Sequence, residues 1–324
     1  MVSFGLRYAL RQPDWVTTPL ADRYAACIEQ CAWGDKLGFL KVMISEHHGS
    51  PDGYMPSPFV IGGAIAARTE QIRIHISAVI APLHNKVRLA EDLAILDILS
   101  NGRAEPVLAG GYVGTEFDML GTSLSARKDY MEEIVPFLRL AWTGEPFEWK
   151  GQRYHITPKP VQKPHIPIWM GGASKASARR AARHADVYLP SRRELYEVFY
   201  EELDRLGKPR PKPSVRALMP WVAEDPDKFW AEFAPHAMHE NNAYGKWYSD
   251  WDAWNGYVTM DDTDKLRETG LYPVLTPEET VERIRKLGPD DLVMFHPMVG
   301  GTPPEMAWEM LELIANKVLP ALGE

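Results

Sequence analysis

The stretch Lys-Val-Met-Ile-Ser-Glu-His-His, residues 41–48, decides how the rest of this chain is interpreted. Its apolar run at 42–44 is typical of a parallel strand that is buried on both faces. Glu46, His47 and His48 follow directly, and each of these side chains can exchange a proton. In α/β barrels the carboxyl ends of the strands carry the catalytic groups. The stretch therefore indicates a candidate catalytic site, with ordinary hydrogen-bonded loop histidines as the alternative.

Apolar strands alternate with amphipathic helices on both sides of this stretch and for most of the chain. The alternation predicts a parallel sheet that is covered by helices. Eight strands with seven or eight helices predict one (β/α)8 barrel, a single domain over residues 1–324. The predicted strands are 4–8, 42–44, 73–80, 103–109, 166–170, 186–189, 215–220 and 292–295. The predicted helices are 21–37, 57–68, 87–99, 126–142, 175–184, one that begins near Thr276, and 304–318.

Two segments depart from this alternation. Residues 146–156 predict a small hairpin whose turn is Lys150-Gly151. Residues 223–271 are polar, aromatic and irregular, and they contain several of the chain's 11 tryptophans. A long insertion in a compact enzyme is usually a lid or a binding loop. Exposed aromatic residues also mark contacts between subunits, so both interpretations stay open.

Charge and composition exclude several classes of protein. The net charge of −8 and a pI near 5.7 argue against a nucleic-acid surface, which needs clustered Lys and Arg. The N-terminus lacks the apolar core of a secretory leader, and no window approaches a membrane span. We therefore expect a cytoplasmic protein that binds neither nucleic acid nor a membrane. Cys27 and Cys31 are four apart in a helical pattern and are interpreted as core thiols, not as metal ligands.

A (β/α)8 fold brings the ends of separate strands to one mouth. Gly171-Gly172-Ala173-Ser174 opens a helix, where unpaired N–H groups and the helix dipole favour an anion. An ordinary capped helix start explains the same residues, so this signal is weak alone. We also include Ala81 and His84, which follow the third strand. The side chains expected at the mouth are His47, His48, His84, Tyr112, Ser174 and His296.

In four segments the chain resembles the bacterial luciferase-like family of flavin-dependent oxidoreductases. Their order and spacing carry the resemblance over roughly residues 1–190. The segments are Glu46-His47-His48 with Tyr54-Met55-Pro56-Ser57-Pro58, then 90–103, Pro164-His165-Ile166-Pro167-Ile168-Trp169-Met170-Gly171-Gly172, and 174–183.

The resemblance implies a barrel whose mouth holds reduced FMN or, in a large branch of the family, the deazaflavin F420. In the flavin branch the reduced cofactor activates O2, which oxidises an aldehyde, a sulfonate or another small substrate. Such chemistry suits a deep pocket with a closing lid. The resemblance also implies a dimer or a tetramer, with a homodimer as our expectation.

Individual residues match the family's functional positions. His47 resembles the proton-transfer group near the flavin, with Glu46 and His48 as its neighbours. Arg127 matches an arginine that binds the flavin phosphate. Ser174 and Ser177 match positions that hold phosphate and ribityl, together with Gly171, Gly172 and Ala173. Residues Ala109, Gly110, Gly111 and Tyr112 match the strand end beside the flavin ring. The luciferases have cysteine and arginine at positions 109 and 110, so light emission is not expected here.

Our first hypothesis is a two-component FMN-dependent monooxygenase that receives reduced FMN from a separate flavin reductase, since no nicotinamide fingerprint is present. Its substrate is expected to be a small apolar or aromatic organic compound. The second hypothesis is an F420-dependent dehydrogenase or reductase that transfers a hydride. The third is a flavin-binding barrel without catalysis, which the intact Glu46, His47 and His48 disfavour. No metal ligands are assigned.

Overall fold

The computed structural model describes residues 2–213, 215–249 and 256–323. Trp251 and Trp254 of the aromatic segment lie outside the described residues. The strands are β1 (Ser3–Tyr8), β2 (Lys41–Ile44), β3 (Arg73–Ile80), β4 (Ala104–Ala109), β5 (Phe147–Trp149), β6 (Gln152–Tyr154), β7 (Trp169–Gly172), β8 (Val187–Pro190), β9 (Val215–Leu218), β10 (Trp221–Val222), β11 (Val274–Leu275) and β12 (Asp291–Phe295). The helices are α1 (Leu20–Lys36), α2 (Pro58–Arg68), α3 (Lys86–Leu99), α4 (Gly114–Met119), α5 (Arg127–Ala141), α6 (Lys175–His184), α7 (Leu195–Arg205), α8 (Pro226–Tyr248), α9 (Thr263–Glu268), α10 (Pro277–Arg285), α11 (Pro304–Leu313) and α12 (Leu319–Leu322).

The chain forms two compact units. Unit 1 consists of Met1–Met43, Ser50–Met55 and Ser214–Glu324, and unit 2 consists of Ile44–Gly49 and Pro56–Pro213. The chain passes from unit 1 to unit 2 at the end of β2, immediately before the stretch that carries Glu46. The single domain over residues 1–324 stays a prediction.

Unit 2 contains a parallel arrangement of β3, β4, β7 and β8. β3 pairs with β4, β4 with β7, and β7 with β8, all in parallel. The helices between these strands bury one apolar face, as in α3, where Leu89, Leu93 and Leu96 are buried. The predicted hairpin is confirmed as β5 and β6, and Lys150 and Gly151 both have positive φ at its turn.

Unit 1 contains β1, which pairs with β12 in parallel, and β12 also pairs with β9. Gly5 in β1 is needed because a Cβ there would lie 2.8 Å from the backbone oxygen of Lys41 in β2. Helix α1 buries Cys27 and Cys31 on one face, which confirms that both are core thiols. The alternation of strand and helix predicted from the sequence is thus present in both units.

The prediction of an irregular segment at 223–271 is wrong for most of its described part. Pro226–Tyr248 is one helix of 23 residues, and Thr263–Glu268 is a second helix. Asp225 caps α8 by accepting hydrogen bonds from the N–H groups of Asp227 and Lys228. The buried side chains of α8 include Trp230, Phe233, Ala237 and Tyr244, which are spaced as one helical face. Pro235 inside the helix and the many polar residues obscured this periodicity.

Other differences concern boundaries and elements that were not predicted. The fifth predicted strand, 166–170, forms its parallel pairs at Trp169–Gly172 instead, so the two glycines end the strand. Helices α4, α7 and α12 and the short strands β10 and β11 were not predicted. Helix α10 begins as expected, with a capping box between Thr276 and Glu279. Within the described residues, none of the helices combines the length and the apolar character needed to cross a membrane.

Candidate active site

Glu46 is the centre of a buried group of polar side chains in unit 2. Its Oε1 accepts hydrogen bonds from His48 Nε2 at 2.9 Å and from His84 Nε2 at 2.8 Å. Its Oε2 accepts the backbone N–H of Ile80 at 2.7 Å. Glu46 stands directly after β2, whereas Ile80 ends β3 and His84 follows it, so the ends of two strands supply the group. Only 2% of Glu46 is exposed, so these contacts replace water around its charge.

The environment fixes the charge of Glu46. Burial alone would raise its pKa, but the hydrogen bonds from His48 and His84 and from the Ile80 N–H lower the pKa to about 2. In return, the hydrogen bond to Glu46 raises the pKa of His48. Glu46 is therefore a carboxylate at neutral pH, which makes it a fixed negative charge and not a proton donor.

His47 is held by a second carboxylate. Its Nδ1 lies 2.8 Å from Glu116 Oε1, and its Nε2 lies 3.3 Å from the hydroxyl of Tyr112. Glu116 Oε1 also accepts the backbone N–H of His48 at 2.9 Å. Glu116 is 1% exposed and belongs to the short helix α4, and Tyr112 follows β4. The loop after β4 thus positions both groups against His47.

The two contacts of His47 select its tautomer. A carboxylate only accepts hydrogen bonds, so the proton of neutral His47 resides on Nδ1 and is donated to Glu116. Nε2 then carries the lone pair and accepts from the Tyr112 hydroxyl. A carboxylate behind Nδ1 also stabilises the ring when Nε2 takes a second proton. His47 can therefore accept a proton at Nε2 and return it.

The predicted phosphate ligands lie at two helix starts. Arg127 is the first residue of α5, and burial lowers the pKa of its guanidinium, so an anion beside it would be favourable. Gly110 lies beside this side chain, because a Cβ built on Gly110 would be in ordinary contact with Arg127 Cδ at 3.8 Å. Ser174 and Ser177 form a capping box at the start of α6. These residues fit a phosphate group.

The strand register brings the remaining candidates together. Val107 and Leu108 pair with Trp169 and Met170, which places Ala109 and Gly110 beside Gly171 and Gly172. Gly172 can only be glycine, because a Cβ there would lie 2.2 Å from Ser177 Oγ. Ala173 separates Gly172 from the cap of α6.

The predicted residue Ala81 lies after β3. It is buried in a 3-10 turn, Ala81–Leu83, just before His84.

Sequence reasoning missed Glu116, because the sequence around it, Gly-Thr-Glu-Phe-Asp-Met, is too short to show a helical period. An acidic residue soon after the Gly110-Gly111 strand end was the available signal. His296 follows β12 and belongs to unit 1, where its Nδ1 lies 3.6 Å from Glu240 Oε1. Its place at the mouth stays a prediction.

Comparison with known proteins gives the family and the fold. The model for the family described as luciferase-like monooxygenase matches residues 2–289. A flavin-dependent trigonelline monooxygenase, oxygenase component, from Acinetobacter baylyi is 24% identical over 93% of this chain and 90% of its own length.

Two solved structures share the fold over nearly the whole chain. One is the oxygenating constituent of 3,6-diketocamphane monooxygenase from Pseudomonas putida, a type II Baeyer-Villiger enzyme in complex with FMN. It has a TM-score of 0.76 and 20% identity and covers 98% of both chains. The other is an F420-dependent secondary alcohol dehydrogenase with an F420-acetone adduct, with a TM-score of 0.68, 18% identity and 99% coverage of both chains. The predicted fold class, α/β with a (β/α)8 barrel, is confirmed by these likenesses.

Proposed function

Because the chain belongs to the luciferase-like monooxygenase family, as its sequence resemblance predicted, we propose that it is the oxygenase component of a two-component FMN-dependent monooxygenase. The proposed reaction places one atom of O2 in a small organic substrate and releases the other as water, with two electrons from reduced flavin. The observation that carries the proposal is the orientation of His47 by Glu116 and Tyr112 at the strand ends. It supplies a proton acceptor of fixed tautomer in the same unit as the residues proposed to bind the flavin phosphate.

Reduced FMN is the proposed cofactor. The Acinetobacter relative is described as flavin-dependent, and the camphane enzyme was solved with FMN. Arg127 and the start of α6, with Ser174 and Ser177, would hold its phosphate. The backbone N–H groups of Lys175 and Ala176, in the first turn of α6, would also donate hydrogen bonds to this phosphate. FMN supplies the electrons and activates oxygen when bound.

The chain's own residues would control the proton and the charge. His47 would accept a proton at Nε2, and Glu116 would hold the resulting imidazolium. Glu46 would keep His48 and His84 in place without taking part in proton transfer, because its pKa is about 2.

A separate flavin reductase is the proposed partner. The Acinetobacter relative is named as an oxygenase component, which implies a second component for that enzyme. A homodimer or another homo-oligomer stays a prediction, as does the cytoplasmic location. The described part of 223–271 is largely helical, and its role as a lid or an interface also stays a prediction.

Hydride transfer with F420 is the second candidate function. The likeness to the F420-dependent alcohol dehydrogenase, with a TM-score of 0.68, favours it as the alternative. In that case His47 would be the acid–base partner of a dehydrogenase. A flavin-binding protein without catalysis is the third candidate, and it does not explain why two carboxylates orient the histidines.

Anaerobic titration with reduced FMN and, in parallel, with reduced F420 separates these functions. After each titration the protein is mixed with oxygenated buffer, and flavin absorbance is followed in time. We expect tighter binding of reduced FMN and an oxygen reaction whose course depends on His47. Tighter binding of F420 with no oxygen reaction would replace the proposal with hydride transfer. Binding of oxidised FMN without any turnover would favour the third candidate.

A further inference from the structure

A groove on unit 1 lies between a turn near the N-terminus and helix α8, and we call it the α8 groove. Its volume is about 320 Å³, and all of its lining residues belong to unit 1. This volume is at the lower end of the range for ligand-binding clefts, so the groove suits a molecule built on a single ring. One wall is the indole of Trp15. The other wall is one face of α8, which supplies Pro235, Met238, His239, Asn242, Ala243 and Lys246.

Trp15 is held in place although 52% of the residue is exposed. Its ring centroid lies 4.6 Å from that of His236. The turn that carries it is closed by the N–H of Val16, which donates to the carbonyl of Pro13 at 2.9 Å. Gln12 Nε2 also donates to the carbonyl of Val16 at 3.3 Å. An exposed indole that is fixed in advance loses little freedom when a ligand covers it, and tryptophan is enriched where binding energy concentrates.

Both walls of the groove are packed on the loop that follows β12. A Cβ on Gly301 would lie 2.6 Å from Pro13 Cδ and 2.8 Å from Val16 Cγ2, so the turn that carries Trp15 closely approaches this loop. His236 of α8 places its Nδ1 3.1 Å from the carbonyl oxygen of Gly300. One loop therefore positions the turn and the helix, which fixes the width of the groove.

Two polar side chains of the α8 face already have partners. His239 Nε2 donates to Asp52 at 2.8 Å, and Arg11 donates to the same carboxylate oxygen at 2.5 Å. The charge of Asp52 behind the groove is therefore compensated by Arg11. Asn242 uses its amide on the backbone of Met260, because Nδ2 donates to the carbonyl at 2.7 Å and Oδ1 accepts the N–H at 2.9 Å.

Lys246 gives the groove a positive charge. It is exposed in the last turn of α8. The lining residues, all within the described part of the chain, include no aspartate or glutamate. Burial lowers the pKa of His236 to about 4, so the ring beside Trp15 is neutral at pH 7. The groove thus combines an apolar aromatic wall with a cation, in a chain whose net charge is −8.

We propose that the α8 groove binds a small organic anion with a flat apolar body, a ring that carries one carboxylate. The ring lies against Trp15 and Met238, and the carboxylate accepts from the ammonium group of Lys246. Lys246 repels a cation, and an anion without a ring gains only an exposed ion pair, which is worth little. The inference concerns unit 1 and does not rest on the proposed function.

Fluorine NMR of the full-length protein labelled with fluorinated tryptophan tests this site, and Trp15→Phe assigns the Trp15 resonance. The probes are benzoate, benzyl alcohol, benzylammonium and acetate, which separate the effect of charge from that of the ring. We expect benzoate to shift the Trp15 resonance saturably, with an affinity about three- to fivefold above that of benzyl alcohol, the factor for an exposed ion pair. Benzylammonium should bind more weakly than benzyl alcohol, and acetate should leave the resonance unchanged. No shift with benzoate, or equal affinities for benzoate and benzylammonium, would overturn the proposal.

Two variants locate the anion and the ring. Lys246→Gln should lower the affinity for benzoate to that for benzyl alcohol, whereas Lys228→Gln, an exposed lysine of the same helix, should change neither. Ala243→Leu fills the groove and should remove the shifts caused by both ring probes. Benzoate affinity that is unchanged in both variants would refute the site. FMN affinity should stay the same in each variant, because the residues proposed to bind its phosphate belong to unit 2.

Discussion

His47 Nδ1 lies 2.8 Å from Glu116 Oε1, and this contact joins the end of β2 to the short helix after β4. The same oxygen accepts the backbone N–H of His48. One buried carboxylate thus fixes both the ring of His47 and the loop that carries it. We therefore assign Glu116 as a positioning residue for the proposed proton transfer.

Replacement of Glu116 should reduce turnover and not cofactor binding. Glu116→Gln keeps the shape but can present an N–H to His47, which favours the wrong tautomer. We expect kcat to fall about 10²-fold or more, with its pH profile shifted, by analogy with the loss of a histidine-orienting carboxylate. Steady-state kinetics over pH 5–9 and FMN titration measure the two effects. Asp118→Asn, an exposed position in the same helix, is the control, and a kcat equal to that of the control would refute the role.

Removal of the imidazole of His47 should have the larger effect on the chemical step. His47→Ala should lower kcat by about 10²–10⁴-fold, the range for a general acid–base group, with little change in FMN affinity. His155→Ala, an exposed histidine of unit 2, provides the matched control. Rapid-mixing absorbance of the oxygen reaction measures the rate, and an unchanged rate would exclude His47 from proton transfer.

Arg127 should act on the phosphate of the flavin alone. Arg127→Ala should weaken FMN binding about 10–100-fold, because it removes a charged hydrogen bond. Riboflavin lacks the phosphate, so its affinity should be the same in this variant and in the parent protein. The neighbouring exposed Lys128→Ala tests for a general effect of charge. Equal losses for FMN and riboflavin would place the phosphate elsewhere.

The lowered pKa of Glu46 predicts a dependence of stability on pH. Its pKa falls from 4.5 to about 2 in the folded protein, so the stabilisation is complete above pH 4.5 and is lost as the pH falls toward 2. The shift corresponds to about 3 kcal/mol at most. Urea unfolding at pH 5.5 and pH 3 should show a difference between the parent protein and Glu46→Gln that is larger at pH 5.5.

His48 contributes to the pH dependence of stability with the opposite sign. Its pKa is raised by Glu46, so its contribution is complete below its ordinary value of 6.5 and is lost as the pH rises above the raised pKa. The difference between the parent and Glu46→Gln should therefore also decrease at pH 9. A difference that is constant from pH 3 to pH 9 would contradict both shifts.

The fold class and the order of its elements followed from the sequence. Apolar runs of strand length and helical stripes such as that of α3 are local patterns, and local sterics and burial decide them. The same holds for Glu46, His47, His48 and His84, whose place just after β2 and β3 is visible from the apolar runs before them. The helix of 23 residues at 226–248 was not predicted, because an internal proline and many polar residues obscured its periodicity.

What the sequence alone determined was therefore which residue types stand at strand ends. Tertiary structure decided which of them face one another: Glu46 between two histidines, and Glu116 behind His47. Glu46 and His48 are two residues apart, but Glu46 and His84, and His47 and Glu116, are separated by tens of residues. Hydrogen bonds depend on distances and angles that no local pattern encodes. The charge of Glu46 and the tautomer of His47 follow from those contacts, because the surroundings of a buried group set its protonation.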